Sequence, residues 1–106
     1  MIIRIWNGTT TADNADSYEQ LLNKVVFPGI AQKQVEGYLG IQLLKKAQGD
    51  EVNFITIMRF ENLESVKQFA GEDYEKSYVI DQAKALLKQY DAKVAHYELV
   101  YNSLSF

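Results

Sequence analysis

The sequence predicts a single α+β domain: a ferredoxin-like βαββαβ plait whose four-stranded antiparallel sheet carries its helices on one face. Three observations lead there. Apolar residues recur at helical spacing in two separate stretches, Tyr18, Leu21, Leu22, Val25, Val26 and Leu63, Val66, Phe69, Ala70. Stretches rich in β-branched and aromatic residues precede, separate and follow them. The resulting order is the split βαβ arrangement, which closes into one sheet with both main helices on the same side. The length of 106 residues allows one core and leaves no room for a second.

The first strand covers residues 2–9 and runs out into Gly8-Thr9-Thr10-Thr11. Asp13 or Asn14 is placed to accept hydrogen bonds from the free N–H groups of the first helix. Pro28-Gly29 is expected to end or break that helix, since Pro disfavours helical geometry in the residue before it and Gly tolerates positive φ. A second strand is predicted from Val35 to Ala47 and a third from Val52 to about Phe60. Between them Gln48-Gly49-Asp50 is turn chemistry, so the pair forms an antiparallel hairpin. Asn62 caps the second main helix and Gly71 stops it. Glu72 to Lys76 reads as a short irregular or helical turn. A third helical piece is expected near residues 80–89, with Ile80, Ala83 and Leu87 on one face. Residues 94–101 form the last strand and residues 102–106 a short tail.

Composition removes several classes of function. Eleven Lys+Arg against fourteen Asp+Glu give a net charge of -3, with no dense basic face for nucleic acid. Cysteine is absent, so disulfides, thiolate nucleophiles and thiolate metal sites go together. With His96 as the sole histidine, one chain cannot build a pure histidine metal cage. No apolar run approaches the ~20 residues that span a bilayer. The beginning of the chain lacks the features of a signal peptide, so a cytoplasmic protein without membrane partners is the expectation. Gly37 and Gly40 lack the order of a phosphate-cradling loop.

A sheet covered on one side should alternate apolar and polar residues. These strands are apolar on both parities: Val52, Phe54, Met58 and Phe60 take one in the third strand, Ile55 and Ile57 the other. Leaving such side chains in water forfeits about 1.5–3 kcal/mol each relative to burial, and a patch of them signals a partner. A second copy packed sheet on sheet is the simplest one, which predicts a homodimer. Packing at strand ends or under the tail is the alternative.

Five stretches resemble the antibiotic biosynthesis monooxygenase family of dimeric α/β barrels. They are Ile2-Ile3-Arg4-Ile5-Trp6-Asn7-Gly8, Val35-Glu36-Gly37-Tyr38-Leu39-Gly40, the run from Ile57 to Val66, the run from Phe69 to Lys76, and Val94 to Val100. The resemblance implies two sheets closed into a barrel across a dimer axis, with a pocket in each subunit between sheet and helices. Members of the family include cofactor-free oxygenases of polyketide quinols, haem-degrading enzymes, and proteins that process small aldehydes or autoinducers.

Oxygenation without metal or flavin requires an electron-rich substrate, a phenolate or enolate that can pass one electron to triplet dioxygen. The protein must supply an apolar cavity, help with deprotonation, and donors for the oxyanion. Trp6, Phe54, Phe69, Tyr74 and Tyr78 are the candidate wall residues, and Asn7, Arg59, Tyr78 and His96 the candidates for binding or moving protons. Asn7 matches a pocket asparagine of the haem-degrading members, or simply opens the turn at Gly8. His96 is a candidate general base or a packed structural group. Tyr74 and Tyr78 close over the pocket or pack on the sheet. Arg59 meets an anionic substrate or pairs with Glu61 or Glu98. Where haem-degrading members carry a pocket tryptophan this chain has Phe69, and where they carry the iron-ligating histidine it has Tyr78. The expected function is therefore cofactor-independent monooxygenation of a small aromatic or enolisable compound, with no metal. The alternatives are a non-catalytic metabolite-binding dimer and a haem-binding or haem-degrading protein.

Overall fold

The computed structural model describes residues 1–104, and the tail residues Ser105 and Phe106 lie outside that range. The chain forms the predicted α+β plait: an antiparallel sheet with its helices on one face. Its centre is strand β1 (Ile2–Thr11), which pairs along its whole length with β3 (Glu51–Phe60). Strand β2 (Tyr38–Gln48) pairs in turn with β3, across a tight turn in which Gly49 takes φ +64°.

The other edge of β1 differs from the expectation of one last strand at 94–101. Two short segments share it end to end, β4 (Leu87–Tyr90) against Gly8–Thr10 and β5 (Ala95–Glu98) against Ile2–Ile5, so the sheet has five strands. Three steps along β1 from Gly8 to Ile5 face five from Tyr90 to Ala95, so two extra residues bulge out of the edge. The bulge is held by a neighbouring segment, since Val94 N–H donates to the Glu75 carbonyl (2.7 Å) and Ser77 N–H to the Ala92 carbonyl (3.1 Å). Residues 87–90 are therefore strand rather than helix, and helix α4 is only Asp81–Lys84. Edge pairing wins there because a ten-residue β1 would otherwise leave the backbone groups of Gly8–Thr10 unpaired. Strand β5 stops at Glu98 because Glu98 faces Ile2, the first residue of β1.

Helix α1 (Ala12–Leu21) is capped by Thr11, two or three residues ahead of the sequence expectation, its hydroxyl accepting from Asn14 N–H at 3.3 Å. Pro28 does not end the helical run. A π turn over Leu22–Val26 precedes it, and the chain continues as α2 (Phe27–Gln32). The wide turn restarts the register, which places Pro28 in a first turn where its missing N–H has no bond to lose. Helix α3 (Leu63–Ala70) is capped as expected by the Asn62 carboxamide, which accepts from Ser65 N–H at 2.9 Å, and ends at Gly71 with φ +88°.

Cross-strand register assigns the two faces. Ile2, Arg4, Trp6 and Gly8 of β1 share the helix side with Phe54, Thr56, Met58 and Phe60 of β3. The buried core on that side divides into two clusters. One gathers Ala15, Tyr18, Leu22, Phe54 and Ala83, and the other Met58, Phe60 and Val66. Ile3, Ile5, Ile55, Ile57, Leu44 and Tyr97 point to the other face, where no helix covers them. The chain runs on past β5, and Leu99 and residues 101–104, with Leu39, Gln42 and Arg59, outline a groove of about 450 Å³ at one end of that face.

Candidate functional site

The division of the core leaves a cavity of about 560 Å³ between the sheet and the helices. Its floor is the middle of the sheet: Arg4 and Trp6 of β1, Ile41 of β2, Thr56 and Met58 of β3. The π turn and α2 supply an apolar wall through Val25, Val26, Phe27 and Ile30. Phe69 at the end of α3 and residues 76–80 complete it. The broad apolar body of this wall, with few polar groups, is the usual character of a small-molecule site.

The cavity gathers three of the residues singled out in the sequence: Trp6, Phe69 and Tyr78. Trp6 donates its indole N–H to the Asp91 carbonyl at 2.9 Å and leans its ring on Tyr90, centroids 5.8 Å apart. Phe69 is near two cations, with the Arg4 guanidinium carbon 5.6 Å and Lys33 Nζ 4.7 Å from its ring centroid. Tyr78 stands at the mouth, 90% exposed.

The remaining candidates lie elsewhere. Phe54 is closed into the core with its ring edge against Tyr18 (centroids 4.9 Å) and is not on the cavity wall. Asn7 has the parity of the uncovered face, where its amide and backbone N–H both donate to the Asp91 carboxylate, at 3.3 and 3.1 Å. It is an interior residue of β1 rather than the start of a turn. Arg59 also faces that side and donates to the Gln42 side-chain oxygen (2.7 Å), not to Glu61 or Glu98. Tyr74 packs edge-on against the His96 ring at 5.2 Å, behind the cavity wall.

His96 reaches the cavity only through Arg4. Strand register sets the two opposite one another, and Arg4 Nη1 donates to His96 Nε2 at 2.9 Å and to the Tyr74 carbonyl at 2.8 Å. With Nε2 accepting, the imidazole proton sits on Nδ1, which is buried without a hydrogen-bond partner. Burial first and the Arg4 charge second hold the His96 pKa below its ordinary value, against weaker opposition from Glu75 and the Val94 backbone. Burial alone brings the Arg4 pKa down to about 10, so the guanidinium stays charged at neutral pH. Tyr18, on the far wall, is pushed up to about 12 by burial and remains a neutral phenol.

Arg4 was missed among the sequence candidates, although a signal existed. A lone arginine inside Ile2-Ile3-Arg4-Ile5-Trp6 shares the parity of the buried face, where a charge needs a reason to be. Lys33 and Lys76 had no such signal, because their place on the wall depends on where α2 ends and where the 75–77 segment docks. Among the described residues, no group of acidic or histidine side chains is clustered to hold a metal ion, and no helix is long and apolar enough to cross a membrane.

Solved structures assigned to the antibiotic biosynthesis monooxygenases, and proteins related to them in fold, share this α/β plait with one covered face. A Deinococcus radiodurans protein assigned to the antibiotic biosynthesis monooxygenases superimposes with a TM-score of 0.67 at 20% identity, over 100% of this chain and 99% of that one. The cofactor-independent oxygenase SnoaB of Streptomyces nogalater gives 0.66 at 10% identity over 98% of each chain. The haem degrader MhuD of Mycobacterium tuberculosis, solved with two haems in its active site, gives 0.62 at 18% identity over 96% of this chain and 98% of that one. No family model and no curated protein sequence matches the chain.

Proposed function

We propose that the protein is a cofactor-independent monooxygenase of a small aromatic or enolisable compound, working as a homodimer with one site per subunit. The carrying observation is the apolar cavity floored by Arg4 and Trp6. Dioxygen partitions favourably into such a space, and a guanidinium there stabilises a substrate oxyanion more strongly than it would in water. The bound anion passes one electron to dioxygen, and the substrate radical and superoxide join at carbon to form a C–O bond. The O–O bond then breaks. The outer oxygen leaves as water with two substrate hydrogens, so the CH2 carbon of an acidic cyclic 1,3-diketone ends as a carbonyl. Trp6, Phe69 and Ile41 hold the ring system, and Arg4 the oxygen. His96 keeps Arg4 aimed.

Dimerisation is supported by the uncovered sheet face. Ile3, Ile5, Ile55 and Ile57 form a half-buried apolar band there, and the more exposed Leu44 (49%) and Tyr97 (59%) extend it. Packing this band against a second copy removes it from water.

An oxygen electrode tests the chemistry with a panel of hydroquinones and cyclic 1,3-diketones in chelator-treated buffer without flavin. Wild-type protein is expected to raise uptake above autoxidation, and Arg4→Met to cut that increment by about tenfold or more, the scale of removing one oxyanion donor. Saturable binding with no uptake above autoxidation across the panel would leave a metabolite-binding dimer instead.

The haem reading fits the residues poorly. His96 is the only histidine in the chain, its Nε2 is engaged by Arg4, and it does not line the cavity. Tyr78 offers a phenol at the mouth, but one facing solvent. Haemin titration is accordingly expected to produce no sharp, shifted Soret band. Such a band, abolished by Tyr78→Phe, would reinstate tyrosinate-ligated haem.

A further inference from the structure

The ionisable side chains around the cavity are one-sided. Arg4, Lys33 and Lys76 line it, whereas no aspartate, glutamate or histidine does. Arg4 is the telling member because it is nine-tenths buried. Its two hydrogen-bond partners, the Tyr74 carbonyl and His96 Nε2, are neutral acceptors that orient the guanidinium without cancelling its charge. The ion pairs among the described residues, Lys45–Glu19 and Lys88–Glu51, are elsewhere, and neither involves a cavity residue. A desolvated cation with no counter-ion is unfavourable, and buried charges ordinarily sit beside an opposite one. Here the place opposite Arg4 is open cavity.

The same wall carries no group suited to taking a proton from a bound ligand. The imidazole that could do so stands behind Arg4, with Nε2 occupied and its proton on the side away from the guanidinium. Tyr18 is a neutral phenol, able to donate but not to accept a proton at neutral pH.

We infer that the cavity takes its ligand as an anion already formed in solution, an acidic enol or phenol on an apolar ring body, and discriminates against the neutral form of the same skeleton. Arg4 receives the oxyanion, Lys33 and Lys76 add attraction at the periphery, and the Phe69 ring packs near both Arg4 and Lys33. This deepens the proposed function, since it rests on the same cavity being the ligand site. It narrows the substrate to compounds acidic enough to ionise at the pH of the cell without help from the protein.

Calorimetric titration with a matched pair tests it: 2-hydroxy-1,4-naphthoquinone, whose enol is ionised at neutral pH, and its neutral methyl ether. Wild-type protein is expected to bind the hydroxyquinone at least about tenfold more tightly, and Arg4→Met to bring the two within about threefold of each other while still binding the ether. His96→Phe is expected to shrink the preference without weakening the ether, a change that mere loss of packing would not produce. Equal affinities in the wild type would overturn the inference. So would failure of the hydroxyquinone to bind saturably, or a preference that persists in folded Arg4→Met protein. Should Arg4→Met not fold, the wild-type ratio decides alone. No oxygen chemistry is read in this titration, so a protein that prefers the anion but never consumes oxygen would remove the monooxygenase reading and leave this one standing.

Discussion

Phe54→Ala is expected to lower the free energy of unfolding by about 3–5 kcal/mol, the range for truncating a fully buried phenylalanine. The measurement is the urea transition followed by circular dichroism, with the slope checked for constancy so that the midpoint shift reads stability alone. For a domain with about 5–15 kcal/mol in total, this is a large share. The magnitude follows from position. Phe54 is 1% exposed, meets the Tyr18 ring edge-on, and joins β3 to α1 at the centre of the first core cluster. Its aromatic character made it a candidate ligand contact in the sequence. The strand register instead sends it under α1, away from the cavity floor two residues further on at Thr56. A loss below about 1 kcal/mol, the level of an ordinary surface substitution, would show that this packing is wrong.

Ile57→Asp is expected to turn a dimer into a monomer that keeps its circular dichroism spectrum. Ile57 sits opposite Ile5 on the uncovered face, with Gln42 on its other side. A two-fold axis would bring one copy of the substitution from each subunit, so two carboxylates would be driven out of water into an apolar contact. Each costs several kcal/mol unless paired, and about 4 kcal/mol already raises the dissociation constant roughly a thousandfold. Light scattering on the column eluate at micromolar concentration distinguishes the outcomes. Wild type should give the mass of two chains and the variant that of one. A monomeric wild type would end the dimer proposal, and a variant that stays dimeric would move the interface off this face.

Much of the architecture was legible along the chain because its signals are local. The Asn62 cap, the Gly71 stop and the Gly49 turn each depend on a few neighbouring atoms, and each is where the residues said it would be. The doubled hydrophobic parity of β3 was also readable, since alternation needs only the strand itself. The misreadings have a different character. Ile80, Ala83 and Leu87 fit one helical face, but residues 87–90 became a strand because Gly8–Thr10 offered unpaired backbone. Pro28 looked like a terminus, and the π turn ahead of it turned it into a first-turn residue.

The candidate site divides along the same line. Trp6, Phe69 and Tyr78 were legible as aromatic wall residues and do line the cavity, whereas Asn7 and Arg59 lie on the opposite face and His96 sits one residue behind the wall.

From the residues alone came the plait, the second apolar face and the family likeness, all of them consequences of spacing and side-chain type. The folded chain alone decided that the core splits into two clusters with a chamber between them, and that a buried arginine without a carboxylate partner faces that chamber. Those outcomes depend on contacts between distant segments, such as Arg4 with His96, ninety-two positions apart. No periodicity within one segment encodes how a distant segment will dock against it.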